Sequence, residues 1–414
     1  MKIYDFGIIG SGIAGLSVAE ILTRQGHSAV LIEKNKKLSS KTSREFHEWL
    51  HTGSLYTLIP GQENVMRYIL GAIDDLIEFY SSYQRMNLKP SSSGLKINTN
   101  DGWFNENYIH FKYRMKNRKL FIPWIYGVAR SIYLIERIKK HDWLRRKAGE
   151  LEHYKKGRFK RILKLCKEIL FSNKTFKTIE TSDFTINSRL LLGDLLKTSI
   201  NNGLKISLNN KIIKISNSKN LKFIEGTNEN FYCKKIAICA GDNINNFSDV
   251  KTKVSYAPIA VVSGLSKESK SFVELDYFTK NCINLLTKEN NIGLVGGISL
   301  SELKKCDKYL DYVIDRHKIY QPQIKEIDRY NGIKSEITFK NQERGYLYHI
   351  IENEKNVWSL IPGKFTLSFS MAIEFYRRVF NTNPTKNFKT FLSDDKSKIL
   401  SNTYWKDSYL KNVK

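Results

Sequence analysis

The sequence predicts an α/β fold in which a Rossmann-like nucleotide-binding domain is interleaved with an α+β domain built on a mixed or antiparallel sheet, with an added basic helical insertion. Three observations predict it. The chain opens on a strand, a glycine turn, a helix and a second strand between Phe6 and Glu33. Two more strand ends with small residues or turn formers, Ala240-Gly241 and Pro362-Gly363, lie far downstream. The stretch from Val254 to about Tyr348 carries separated strand patterns around one helical pattern, as a second sheet would.

The opening unit reads FGIIGSGIAGLSVAEILTRQGHSAVLIEKN. Phe6 to Ile9 is a short apolar run of the buried parallel-strand kind, and Ala14, Val18, Ile21 and Leu22 fall at helical spacing within Ile13 to Leu22. Gly26 stops the helix, Ala29 to Ile32 is a second buried strand, and Glu33 stands at its end. Gly10 permits the turn, Gly12 lets a pyrophosphate approach the backbone, and Gly15 lets helix and strand pack closely. An anion would then meet N–H groups at the positive end of the helix. Glu33 is placed to accept from ribose hydroxyls, and its charge disfavours a 2′-phosphate.

The stretch Ser43 to Gly61 mixes His, Trp, Gly and Tyr with neither period and reads as a site wall. Gln62 to Tyr83 reads as an amphipathic helix through Val65, Ile69, Ile73, Leu76 and Tyr80. From Asn107 to Lys167 nineteen Lys/Arg stand against four Asp/Glu, so this window supplies +15 of the net +27. Within it Lys119 to Lys140 is an apolar and aromatic patch flanked by cations and broken at Pro123. A helix through Leu191, Leu195, Leu196 and Ser199 ends at Gly203, and strands follow at Lys205 to Leu208 and Ile212 to Ile215. Tyr232 to Asp242 contains a buried strand ending at Ala240-Gly241. Strands are expected at Ile259 to Val262, Ile283 to Thr287, Ile292 to Ile298 and Glu343 to His349, around a helix near Ser301 to Ile319. Val357 to Phe380 reads as strand, Pro-Gly turn and helix, with a polar tail after it.

The expected division is a discontinuous nucleotide-binding domain of residues 1–60, 179–250 and 351–380, and a substrate domain of 61–100 and 251–350. Residues 101–178 form the basic insertion and 381–414 the tail. At 414 residues, 41% hydrophobic and 12% aromatic, the chain is long enough for a large core. Cys166, Cys233, Cys239, Cys282 and Cys306 show no CxxC and no ligand-like partners, so reduced thiols, a cytoplasmic setting and no metal site are expected. No uncharged apolar run is long enough to span a membrane, and because Phe6 already opens the first strand no signal peptide is expected.

Taken together, the opening unit, the AICAGD strand end and SLIPGKFTLSFSMAIEF resemble the D-amino-acid-oxidase superfamily of FAD-dependent oxidoreductases. The resemblance spans most of the chain, apart from roughly Asp101 to Thr178 and the segment after Phe380. Within the superfamily, His51-Thr52-Gly53-Ser54-Leu55-Tyr56 is similar to the His-x-Gly-x-x-Tyr run of the L-2-hydroxyglutarate dehydrogenase and glycerol-3-phosphate dehydrogenase side. Pro362 to Glu374 is similar to the same side, and Lys334 stands where its Gly-Ile-Arg has arginine. The resemblance implies FAD as cofactor and the oxidation of a CH–OH or CH–NH group of a small polar, anionic substrate by hydride transfer to flavin N5. Electrons then pass to oxygen, a quinone or a carrier protein.

The cofactor contacts so implied are Gly10, Ser11, Gly12, Ile13, Ala14 and Gly15 in the turn, with Glu33 and Lys34 at the second strand end. Ser43, His51, Thr52 and Gly53 come from the aromatic loop, and Ile212, Ala240 and Gly241 from the middle of the chain. Gly363, Lys364, Phe365 and Thr366 open the late helix, where backbone N–H groups would stabilise charge at the flavin pyrimidine edge. His51 is the expected catalytic base, with His47 a competitor four residues earlier. Lys334 is expected to pair with a substrate carboxylate or phosphate as a point charge, without arginine's bidentate fork. Tyr56, Tyr346 and Tyr348 read as pocket walls.

The basic window admits a solvated helical face, docking on an anionic membrane surface through residues 107–167, or binding to an acidic polymer. An RNA-binding or RNA-modifying flavoprotein is a weaker alternative, since no RNA-binding motif accompanies the charge. A non-catalytic FAD-binding scaffold is the other.

Overall fold

A computed structural model of the chain describes residues 2–51, 63–91, 94–114, 176–276, 281–338, 345–394 and 398–412. Thr52, Gly53 and Tyr56, most of the basic window with its Lys119 to Lys140 patch, and the first residues of the strand expected at Glu343 lie outside the described residues.

The strands and α-helices begin with β1 (Ile3–Ile9), α1 (Ile13–Arg24), β2 (Ala29–Ile32), β3 (Trp49–Leu50), α2 (Glu63–Tyr80), β4 (Leu88–Ser91) and β5 (Gly94–Ile97). Next come β6 (Phe104–Arg114), β7 (Phe176–Ile186), α3 (Ser188–Asn201), β8 (Lys205–Ser207), β9 (Ile212–Ser218), β10 (Leu221–Gly226) and β11 (Phe231–Ile238). Then follow β12 (Lys253–Ser263), β13 (Phe272–Asp276), β14 (Asn281–Thr287), β15 (Gly293–Gly296) and α4 (Cys306–Lys318). The series closes with β16 (Lys325–Glu336), β17 (His349–Glu354), β18 (Val357–Ile361), α5 (Leu367–Phe380) and α6 (Tyr404–Asn412).

Two eight-stranded sheets carry the molecule. In the first, the order β17-β18-β11-β1-β2-β8 has a parallel centre, with β10 and β9 added through β11. Ile9 pairs with Ile238 on one side and with Ile32 on the other, and Ile238 pairs with Ser359. The carboxyl ends of β1, β2, β11 and β18 therefore fall along one edge, the place where open α/β sheets bind ligands. Both faces are covered, which is why these strands read as unbroken apolar runs. Phe6, Ile8 and Leu31 pack with α1, α2, α3 and α5, while Tyr4, Ile9, Val30 and Ile32 pack on the opposite face with Ile224, Phe231 and Ile244.

The second sheet, β16-β12-β15-β14-β13-β6-β7-β3, is antiparallel apart from the β13–β6 pair, so the mixed sheet expected from the sequence is present. One face packs on Leu310, Val313 and Ile314 of α4, and the other packs Ile259, Val261, Leu294 and Tyr330 against Trp405 of α6.

The structure corrects several sequence boundaries. The boundary expected at residue 178 falls inside β7, which pairs with β6 and belongs to the second sheet. Helix α2, grouped with the substrate domain from sequence, packs its apolar stripe on the core that holds α5 and α1. The strand expected to run to His349 instead begins there, where pairing with Ile361 of β18 starts. The segment after Phe380 is no loose tail: Leu38 and Leu400 form a parallel bridge, Arg44 meets Asp407 at 2.7 Å, and Trp405 is buried. β16 was not expected, since KEIDRYNGIKSE offers few apolar residues; pairing along β12 makes it a strand.

Leu16 of α1 is fully buried between the first sheet and its helices. Leu16→Ala is expected to cost about 2–5 kcal/mol through lost transfer energy and a residual cavity. Urea unfolding should show this as a lower midpoint at unchanged slope.

Candidate active site

The glycine turn is built as its spacing requires. Gly10 adopts φ +98°, and its N–H donates to Ile32 O at 2.9 Å. A Cβ on Gly15 would stand 1.9 Å from Gly10 O, so glycine there is what allows α1 to lie against β1. Gly12 is the N-cap of α1 and supplies no side-chain bond to it. Ser43 does so from across the cleft, its Oγ accepting from Ile13 N at 2.9 Å. Ser39 closes the same loop, its Oγ donating to Ser11 O at 2.7 Å.

Glu33 is buried at the end of β2 and takes four hydrogen bonds. Its Oε2 accepts from Ser11 N (3.2 Å) and Ser11 Oγ (2.5 Å), and its Oε1 from Asn35 N (2.9 Å) and Nδ2 (2.7 Å). A carboxylate has about four acceptor sites. A ribose hydroxyl reaching Glu33 therefore competes with the Ser11 hydroxyl.

One cleft of about 460 Å³ runs from this turn along the carboxyl edge of the first sheet. Gly10, Ser11, Gly12, Ile13 and Ala14 line it at one end together with Glu33, Lys34 and Ser43. Ile212, Ala240 and Gly241 line its middle, and Gly363, Lys364, Phe365 and Thr366 its far wall with His51 and Lys334. Gly15 acts behind the wall, through packing. The three widely separated turns thus face a single cavity. Gly241, at φ +58°, would have nothing within 4 Å of a Cβ. The same cleft takes in Ser39 and Asn243, which periodicity did not mark as ligand-facing, and Phe46, His47 and Trp49 from the stretch read as a site wall.

Part of the late turn is tied back on itself. Lys364 N donates back to Pro362 O at 2.6 Å, and Leu367 N and Ser368 N donate to Lys364 O and Phe365 O. Thr366 supplies a different group, a buried hydroxyl on the cleft wall with no hydrogen-bond partner among the described residues. Phe365 stacks on Phe46 with centroids 4.5 Å apart.

Here two histidines and two lysines converge. His51 packs on Trp49 with ring centroids 4.1 Å apart, and its Nδ1 stands 3.8 Å from the buried Asp183, which accepts from Trp49 Nε1 at 2.9 Å. Burial, then the charges of Lys364 and Lys334, hold His51 well below the ordinary imidazole value. Asp183, already bound to the indole, does not reverse this. His47 is pushed down to about 3 by burial, Lys334 and Lys288, and its buried Nε2 has no hydrogen-bond partner among the described residues. Lys334 Nζ lies 3.5 Å from Ser299 Oγ, and Lys364 Nζ sits over the Tyr346 ring at 4.5 Å. Tyr348, expected as a pocket wall, instead packs beside Tyr68. Among the described residues no cluster of His, Cys, Asp and Glu could hold a metal ion, and no helix is long and apolar enough to cross a membrane.

This is a dinucleotide-binding α/β protein whose cleft reaches past the nucleotide turn into a chamber roofed by a second sheet. A family model described as FAD dependent oxidoreductase, DAO, matches residues 5–271, and the chain belongs to that family. No curated protein sequence matches it. Among solved structures it is similar to L-alpha-glycerophosphate oxidase from Mycoplasma pneumoniae with FAD bound, at TM-score 0.64 and 15% identity over 94% of this chain and 97% of that one. It is similar to glycine oxidase from Geobacillus kaustophilus, at TM-score 0.63 and 12% identity over 94% and 97%. L-proline dehydrogenase from P. horikoshii follows at TM-score 0.62 and 10% identity over 93% and 95%. The cofactor of the family is FAD, and the glycine cradle, Glu33 and the Thr366 hydroxyl fit such a group.

Two outcomes follow. Gly15→Ala forces Gly10 and α1 apart, so FAD retention on gel filtration should fall, with a stability loss of about 1–3 kcal/mol. His47 and His51 are neutral when folded and have depressed values, so the unfolded chain binds more protons below about pH 6.5. The stability they contribute is complete above that pH and is lost as pH falls toward the folded value, about 3 for His47. Urea midpoints measured across that window should decline toward acid, and His47→Leu should flatten the decline.

Proposed function

We propose that the protein oxidises a CH–OH or CH–NH group of a small anionic substrate, on the hydroxy-acid and polyol-phosphate side of the family. The observation that carries this reading is the chamber at the far end of the cleft, where neutral His51 lies beside the cations Lys334 and Lys364. Bound FAD supplies the two-electron acceptor, taking a hydride at N5. His51 takes the proton from the substrate hydroxyl or amine, a task for which its neutral form is required. Lys334 and Lys364 attract the carboxylate or phosphate and orient the reacting carbon. Phe46, Trp49 and Phe365 keep water from the chamber and strengthen these charges.

An anaerobic screen of hydroxy acids, amino acids, sugar acids and polyol phosphates tests the reading through loss of flavin absorbance. The expected outcome is bleaching by one anionic class. A flavin that no anionic metabolite reduces sinks it. With the reducing substrate in hand, His51→Asn should slow flavin reduction by about 10²–10⁴-fold. Because His51 is held neutral, the acid limb of kcat/KM should lie below the ordinary histidine value of about 6.5. Lys334→Met should act mainly on KM.

A further inference from the structure

We propose that Glu48 is a positioning residue for this chamber, holding the histidine-bearing face of residues 47–51 toward the cleft by anchoring the opposite face to three separate elements. The inference rests on the proposed function in taking that face as the proton-transfer face.

Only Trp49 and Leu50 of this segment are strand, and a left-handed residue precedes them. His47, Trp49 and His51 line the cleft, while Glu48 and Leu50 turn away from it. Glu48 adopts φ +59°, a left-handed conformation that a side chain with a Cβ resists, and it is buried. Such strain persists only where the surroundings over-determine it. Here they do. Oε1 accepts from Ser188 N (3.1 Å) and Ser188 Oγ (2.6 Å) at the start of α3. Oε2 accepts from Lys288 Nζ (2.7 Å), just after β14, and from Trp405 Nε1 (2.9 Å) in α6. The backbone is tied as well: Ile186 N donates to Glu48 O at 2.9 Å, and Lys288 Nζ also reaches His47 O at 3.2 Å. All four carboxylate acceptor sites are used, and none of them serves the cleft.

A neutral residue would not do the same work. The Lys288 ammonium is buried beside His47, and Glu48 is the carboxylate that compensates it. The charged groups facing the two imidazoles are Lys288, Lys334, Lys364 and Asp183, so the position of the 47–51 turn sets how each is felt. Loosening the turn admits water to the rings, and hydration restores the protonated form.

The test is a ring-carbon NMR titration of histidine-labelled protein, in the FAD-bound and apo forms, with His47 and His51 assigned by substitution. The variants are Glu48→Gly, which suits the positive φ, and Glu48→Gln, which keeps the shape without the charge. In the parent both rings should stay neutral well below pH 6. In Glu48→Gly at least one of them should titrate upward by about one unit or more. Glu48→Gln should move the same ring in the same direction by less, because the Lys288 charge it leaves uncompensated opposes protonation. A folded Glu48→Gly with both titrations unchanged overturns the proposal; should that variant not fold, an unchanged Glu48→Gln does so. The apo titration needs neither FAD nor substrate, so failure of the proposed reaction leaves this result readable.

Discussion

The parallel register of four strands is the constraint on which the rest depends. Because β1 pairs in parallel with β2 and β11, and β11 with β18, their carboxyl ends reach one edge. Gly10, Glu33, Ala240 and Pro362, drawn from positions hundreds of residues apart, become neighbours by that alone. Burial on both faces fixes the register, since sliding a strand by one residue would exchange its two apolar faces between unlike cores. The cleft is thus a property of the sheet, and the loops only furnish it.

What the loops furnish differs along the length. At the first end, bonds among Ser11, Ser39, Ser43 and Glu33 stiffen the turn. At the other end, cations crowd two imidazoles that burial has already made reluctant to protonate. An anion entering there relieves repulsion among groups that were packed together during folding. Folding energy is in this way set against binding energy, as is common where a site must be ready before its ligand arrives.

How far the sequence discloses this varies with physical cause. The opening unit was legible, because Gly10 and Gly15 answer to backbone contacts that a side chain would break, and Gly12 faces the Ser43 hydroxyl at close range. The late Pro-Gly was legible for the same reason, and Gly241 through its left-handed φ of +58° at a strand end. β16 was not, since its strand state comes from pairing with β12 rather than from its own alternation. Nor was the packing of residues 398–412, whose apolar residues, Ile399-Leu400 and Tyr404-Trp405 among them, fall in short pairs within a polar stretch. Glu48 was invisible as well: nothing local marks a glutamate that will sit at φ +59° with partners from α3, the β14 end and α6. Lys334 and Lys364 could be named but not related, because one lies on β16 of the second sheet and the other follows β18 of the first, and only tertiary packing brings both toward His51.

The parallel bridge between Leu38 and Leu400 gives the architecture a temporal side. The loop that clamps the glycine turn is itself held by chain made some 360 residues later, with Leu38 N donating to Ile399 O at 2.8 Å and Ser401 N to Leu38 O at 3.0 Å. However well the first βαβ unit forms on its own, a fragment cut short before Leu400 lacks this clasp.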